Sequence, residues 1–189
     1  MTPAEPPMER LVLHPRDPEA ALPDPAALAR GLAAAGFLGA AAPAAEGAGY
    51  PPGPRFMHWL GFLGCSPALP GTGGTGPAAI IHLECRPVPD FLGGDRVRPP
   101  RCPGCGKNEP HWPAMVNAWR RQGARAWPCP ACGRRSPMAA WNWRRSAGFG
   151  RCHMRIDGIA EGLARPGEPF LELLARLSGV EWRYFFYRG

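Results

Sequence analysis

The stretches "CPGCG", residues 102–106, and "CPACG", residues 129–133, decide how this chain of 189 residues is read. Two residues between thiols let a tight turn present both sulfurs to one ion. Pro103 and Pro130 stiffen each turn by fixing φ, and Gly106 and Gly133 can take the positive φ that closes it. Four thiolates from two such turns form a soft, tetrahedral donor set. Cys102, Cys105, Cys129 and Cys132 are therefore the candidate metal ligands.

Paired CPxCG turns resemble the zinc-ribbon family, in which each knuckle usually sits on a hairpin and the two close one site of four thiolates. The resemblance covers about residues 98–137 and no other part of the chain. It implies one structural Zn2+, with no position left for a reactive water. The 23 residues between the pairs exceed the roughly 15–20 of the common spacing, which leaves room for an elaborated arm. Iron is the alternative, because the rubredoxin family also uses two C-x2-C-G knuckles. Rubredoxins look acidic and compact, whereas this arm is basic. So polar an arm is expected to have little core of its own and to depend on its metal for folding.

Charge is segregated along the chain. Residues 96–155 carry 12 arginines and Lys107 against a single acid, Glu109, while the remainder carries 9 basic and 14 acidic residues. Self-repulsion opposes such clustering, so an anionic partner is expected, either nucleic acid or an acidic protein surface. The excess of arginine over lysine, 21 to 1, accompanies abundant Ala, Gly and Pro and reads as coding bias rather than as a demand for bidentate contacts. Three pairs, Arg120–Arg121, Arg134–Arg135 and Arg144–Arg145, are the candidate anion-binding residues. Trp119 and Trp141 are the candidate stacking faces for a base, whereas Trp112 and Trp127, beside the knuckles, read as a miniature core over the metal. The bland alternative is a solvated face, or contact with the chain's own acidic remainder.

Outside the arm, local signals lay out an α+β order. "ERLVLH" (9–14) reads as a strand. Asp24 caps a helix with Pro25 in its first position, and Leu28, Leu32 and Ala35 line one face up to Gly36 or Gly39. Residues 40–54 read as loop, and 55–67 as a short helix with a buried strand as the rival. "AAIIHLEC" (78–85) reads as a strand, and "GFGRCHMRID" (148–157) as a half-exposed one. "EPFLELLARLSG" (168–179) reads as a helix and "VEWRYFFY" (180–187) as a final strand. Strand, helix, strand, strand, helix, strand is the order of a ferredoxin-like, split βαβ layer. The expected organisation is a tail over 1–8, an α+β body over 9–97 and 138–189, and a zinc ribbon over 98–137 inserted between the middle strands.

The remaining cysteines, Cys65, Cys85 and Cys152, lie near His82 and His153 in the sequence and leave an enzyme or metal-handling role as a lesser alternative. His82 and Cys85 face opposite sides of a strand, as do Cys152 and His153. "GTGGTG" (71–76) lacks the strand, helix and Lys-Ser of a phosphate loop and reads as a loop. No export signal or apolar run of spanning length is evident, so reduced thiols, a cytoplasmic address and no membrane are expected. A non-catalytic, zinc-binding protein with a basic face for nucleic acid is the leading expectation. An adaptor or assembly factor using protein contacts is the second.

Overall fold

The computed structural model describes residues 9–40, 49–62, 79–159 and 161–189. The chain enters as β1 (Glu9–Pro15) and turns into α1 (Pro25–Ala34). The Asp24 carboxylate accepts from Ala27 N–H at 2.8 Å, and the helix stops where Gly36 takes φ 74°. Both halves of the expected cap are present. The ambiguous segment from residue 55 divides: α2 (Phe56–Trp59) makes one turn, then the backbone extends as β2 (Leu60–Phe62). The divide follows from long-range partners. Trp59 Nε1 donates to Ala35 O, while Leu60 pairs with Pro166.

β3 (Ile80–Gly93) is much longer than the strand expected over 78–85, with a register irregularity between Cys85 and Asp90. The cysteine-bearing region follows, with α3 (Trp112–Gln122) and the short pair β4 (Ala126–Pro128) and β5 (Arg135–Pro137). β6 (Ala147–Asp157), β7 (Ala164–Pro166), α4 (Glu168–Ser178) and β8 (Trp182–Arg188) complete the chain. β3, β6, β1 and β8 form, in that order, an antiparallel four-stranded sheet. β6 therefore lies between β1 and β3, which run the same way. The protein is thus mixed α/β, with this sheet and four helices among the described residues.

One face of the sheet lies under α1 and α4. Leu11, Leu13, Met154, Ile156 and Phe186 meet Leu28, Leu32, Phe170 and Leu174 there. Burying side chains of this size stabilises by about 1.5–3 kcal/mol each. The opposite face carries Val12 and Phe185 together with ion pairs, Arg10–Asp157 at 3.0 Å and Arg155–Glu84 at 3.0 Å. β6 is not half-exposed as expected. It is an inner strand, and on its polar face His153 is only 6 % exposed while Arg151, Arg155 and Asp157 are half-buried.

A second core forms where the far ends of β3 and β6 meet the cysteine region. Phe91 and Phe149 pack with Met115, Trp119, Trp141 and Trp143. The expectation of an arm with little core is overturned, because the tryptophans supply one. No helix among the described residues is long and apolar enough to cross a membrane.

His14, buried on β1, donates from Nδ1 to Pro15 O at 2.8 Å. Loss of hydration, aided by the Arg183 guanidinium, lowers its pKa from 6.5 to about 4. The unfolded chain thus binds more protons between these values, so stability is full above pH 6.5 and falls as pH drops towards 4. The expected loss is up to about 3 kcal/mol. Urea titrations at several pH values should give a shallower decline over that window for His14→Asn than for wild type.

Candidate functional site

Two matched backbone turns build the metal centre. Cys102 N–H donates to Lys107 O at 2.9 Å and Gly106 N–H to Cys102 O at 2.9 Å. In the second turn Cys129 N–H donates to Arg134 O at 2.9 Å and Gly133 N–H to Cys129 O at 2.8 Å. Gly106 and Gly133 both take φ 72°, with open space where a Cβ would stand. Their requirement is conformational rather than steric, as their sequence positions imply. The second turn tops the β4–β5 hairpin, and the first is closed by an antiparallel bridge between Arg101 and Asn108. α3 occupies the long stretch between them and ends at Gly123, φ 63°.

The four sulfurs lie within 4.8 Å of one another. Cys102 and Cys132 are 3.9 Å apart, and Cys105 and Cys129 3.7 Å apart. Sulfurs held tetrahedrally about 2.3 Å from one ion would be separated by about 3.8 Å. The cluster could therefore hold a metal ion, with Cys102 and Cys129 buried and Cys105 and Cys132 exposed. The Cys105 and Gly104 N–H groups, directed at the Cys102 sulfur, bring its thiol down to about 7. Such hydrogen bonding favours the thiolate, the form that ligates metal.

Glu109, the only acid of the basic region, is 1 % exposed. Its carboxylate accepts from Trp127 Nε1 at 3.2 Å and from His111 N–H at 2.9 Å. It thus ties the knuckles together internally and leaves the surface without a counter-charge of its own. A lone acid between two knuckles was the available sequence signal for this role.

The six candidate arginines are not equivalent. Arg120 is turned towards the sheet, donating to Asp90 at 2.9 Å and to Phe91 O at 3.2 Å. Among the described residues no carboxylate pairs with Arg121, Arg134, Arg135, Arg144 or Arg145. Arg121, Arg134, Arg135 and Arg145 are exposed and Arg144 half-buried. Other arginines of the basic stretch meet acids of the body: Arg98 meets Glu161 at 3.3 Å, and Arg125 and Arg151 meet Glu19 at 3.6 and 3.3 Å.

The stacking role expected of Trp119 and Trp141 is corrected. They are 4 % and 2 % exposed, so neither offers a free face to a base. Trp119 donates to Pro89 O, and the Arg125 guanidinium covers its ring at 4.0 Å. Trp112 and Trp127 are partly buried against the same core, as their positions beside the knuckles suggested.

Cys85 and Cys152 stand directly opposite in the β3–β6 register and are joined as a disulfide. This corrects the expectation of reduced thiols throughout. The pairing was hidden because it depends on long-range register rather than on spacing. It also removes both thiols as nucleophiles. His82 and His153 contact Asp157 and Glu84 instead, at 3.4 and 3.5 Å. Cys65 and "GTGGTG" lie outside the described residues. No family model, curated protein or solved structure matches the chain.

Two measurements follow from these bonds. Cys129→Ser should release bound metal and abolish amide-exchange protection over residues 98–137, while β1, α1, α4 and β8 keep theirs. Reduction, or Cys85→Ser, opens a link spanning 67 residues and should lower unfolding free energy by up to about 4 kcal/mol in denaturant titrations.

Proposed function

We propose that this chain is a non-catalytic zinc protein whose four-cysteine module presents a basic surface to nucleic acid. The observation that carries this reading is the uncompensated charge. Arg121, Arg134, Arg135, Arg144 and Arg145 lack carboxylate partners among the described residues, while the only acid of that region is buried. Four thiolates at tetrahedral spacing suit Zn2+ held for structure, with every position filled by protein. The reading includes a zinc ribbon over residues 98–137 inserted into a ferredoxin-like layer. Support for that layer comes from the strand order and from helices α1 and α4 lying on one face. The cytoplasmic setting expected from reduced thiols is not carried into this reading, because Cys85 and Cys152 are joined.

With Trp119 and Trp141 buried, recognition rests on phosphates rather than on stacked bases. Such binding is insensitive to sequence and steeply dependent on salt. An adaptor that docks an acidic protein is the second reading. It is favoured by one observation: Arg98, Arg120 and Arg125 already engage carboxylates of the chain's own body.

Metal analysis of purified protein should return close to one zinc per chain; stoichiometric iron would overturn the assignment of the ion. In a salt titration on duplex DNA, about five phosphate contacts predict a log–log slope near −4.5. Replacing Arg134 and Arg135 together by alanine should make it shallower by about 2. No binding even at low salt would remove nucleic acid as the partner. Partners retained in a pull-down after nuclease treatment would then support the adaptor.

A further inference from the structure

A cavity of about 300 Å3 opens where residues 139–149 meet the ends of β1 and β8. Four guanidiniums line it, those of Arg16, Arg144, Arg145 and Arg183, and no carboxylate is among the lining residues. Glu181 pairs with Arg16 at 3.0 Å, which leaves an excess of positive charge around the cavity. Arg183 donates to Arg16 O, and Arg145 lies over the Tyr184 ring at 5.1 Å. The Arg183 pKa is lowered, first by loss of hydration and then by Arg16. Repulsion between these like charges is relieved by an anion placed among them.

Two further features point the same way. Trp141, one wall of the cavity, is 2 % exposed, and its indole N–H has no hydrogen-bond partner among the described residues. A buried donor left unpaired is a standing penalty. Arg144 and Arg145 also adopt φ 54° in succession. That region is unfavourable for residues with a Cβ, and strain of this kind persists where the surroundings impose it. Asn142 Oδ1 accepts from Arg144 N–H at 2.9 Å, and Arg145 O accepts from Phe186 N–H at 3.1 Å, which holds both residues there.

We propose that this cavity is a binding site for a phosphomonoester with a flat organic body, of the class of nucleoside 5′-monophosphates. Arginine forks match phosphate oxygens, and a monoester's charge of about −1.5 to −2 suits several guanidiniums better than a single carboxylate does. Tyr184, half-buried, furnishes aromatic wall for the body of the ligand, and Leu171 apolar wall. The volume lies at the lower end of the usual range for small-molecule sites, about 300–1,000 Å3. The site shares Arg144 and Arg145 with the backbone-binding surface proposed above, but it is a pocket rather than a surface track. The same chemistry could come from a free nucleotide or from the phosphorylated 5′ end of a strand.

The test is calorimetric titration of the metal-loaded full chain with adenosine 5′-monophosphate, adenosine, inorganic phosphate, and one short oligonucleotide with and without a 5′-phosphate. The monophosphate should bind and adenosine should not, with inorganic phosphate weaker than the monophosphate. Arg144→Gly suits the positive φ, so its melting temperature should be no lower than that of wild type, yet affinity should fall about tenfold or more. Arg121→Ala, outside the cavity, should bind as wild type. In 1H–15N spectra the Trp141 indole resonance should move on saturation. A 5′-phosphorylated strand binding more tightly than both the free monophosphate and the same strand without its 5′-phosphate would identify the strand end as the source, and a 5′-phosphate that adds nothing to strand binding would identify the free nucleotide. Adenosine binding as well as its phosphate, unchanged affinity in Arg144→Gly, or no binding of any phosphomonoester at millimolar concentration would overturn the proposal. None of these outcomes depends on duplex binding or on its salt slope.

Discussion

Phe91 and Phe149 face each other across the β3–β6 pairing, and the two cores of the protein depend on that antiparallel pair. Nearer its other end the same two strands place Ile81 opposite Ile156 and Leu83 opposite Met154, in or against the core beneath the helices. Side chains alternate across a strand. One long strand pair can therefore serve the helix-covered core along part of its length and the tryptophan core beyond the irregularity at Cys85–Asp90. The cysteine region is thus set on an extension of the sheet. The disulfide between Cys85 and Cys152 falls just before that irregularity, clamping the strand pair where its two tasks divide.

Electrostatics extends the same division of labour. Some of the body's acids meet the basic stretch: Glu19 contacts both Arg125 and Arg151, and Asp90 contacts Arg120. These pairs are substantially solvent-exposed, so each contributes modestly to stability. Their larger effect is selective. They neutralise the arginines facing the body and leave the knuckle arginines and the Arg144–Arg145 turn as the exposed source of positive potential.

Features encoded within a few residues were legible in the sequence. The knuckles were, because a C-x2-C-G turn carries its own geometry and both glycines reach φ 72° without help from the fold. The caps of α1 and α4 were legible for the same reason, through Asp24, Pro25 and Gly179. What escaped needed distant partners. The division of residues 56–62 between helix and strand depends on Ala35 and Pro166. The disulfide depends on a register fixed by ten cross-strand partners rather than by local spacing.

Arginine beside tryptophan has two physical meanings, and the burial pattern distinguishes them. Where indoles are exposed, the pairing describes a stacking platform fringed by phosphate contacts. Here Trp119, Trp141 and Trp143 are all buried, and the Arg125 guanidinium closes over Trp119 from outside. The alternation of the two residues is therefore that of a small aromatic core with a cationic rim. A small module around one ion has little aliphatic area to bury, and large rings supply that area with few residues. Two indole N–H groups are then satisfied by backbone, Trp119 at Pro89 O and Trp143 at Met138 O, while the buried Trp141 N–H has no partner among the described residues. In a core otherwise so completely paired, that donor and the strained arginines beside it are more economically explained as one site than as two separate imperfections.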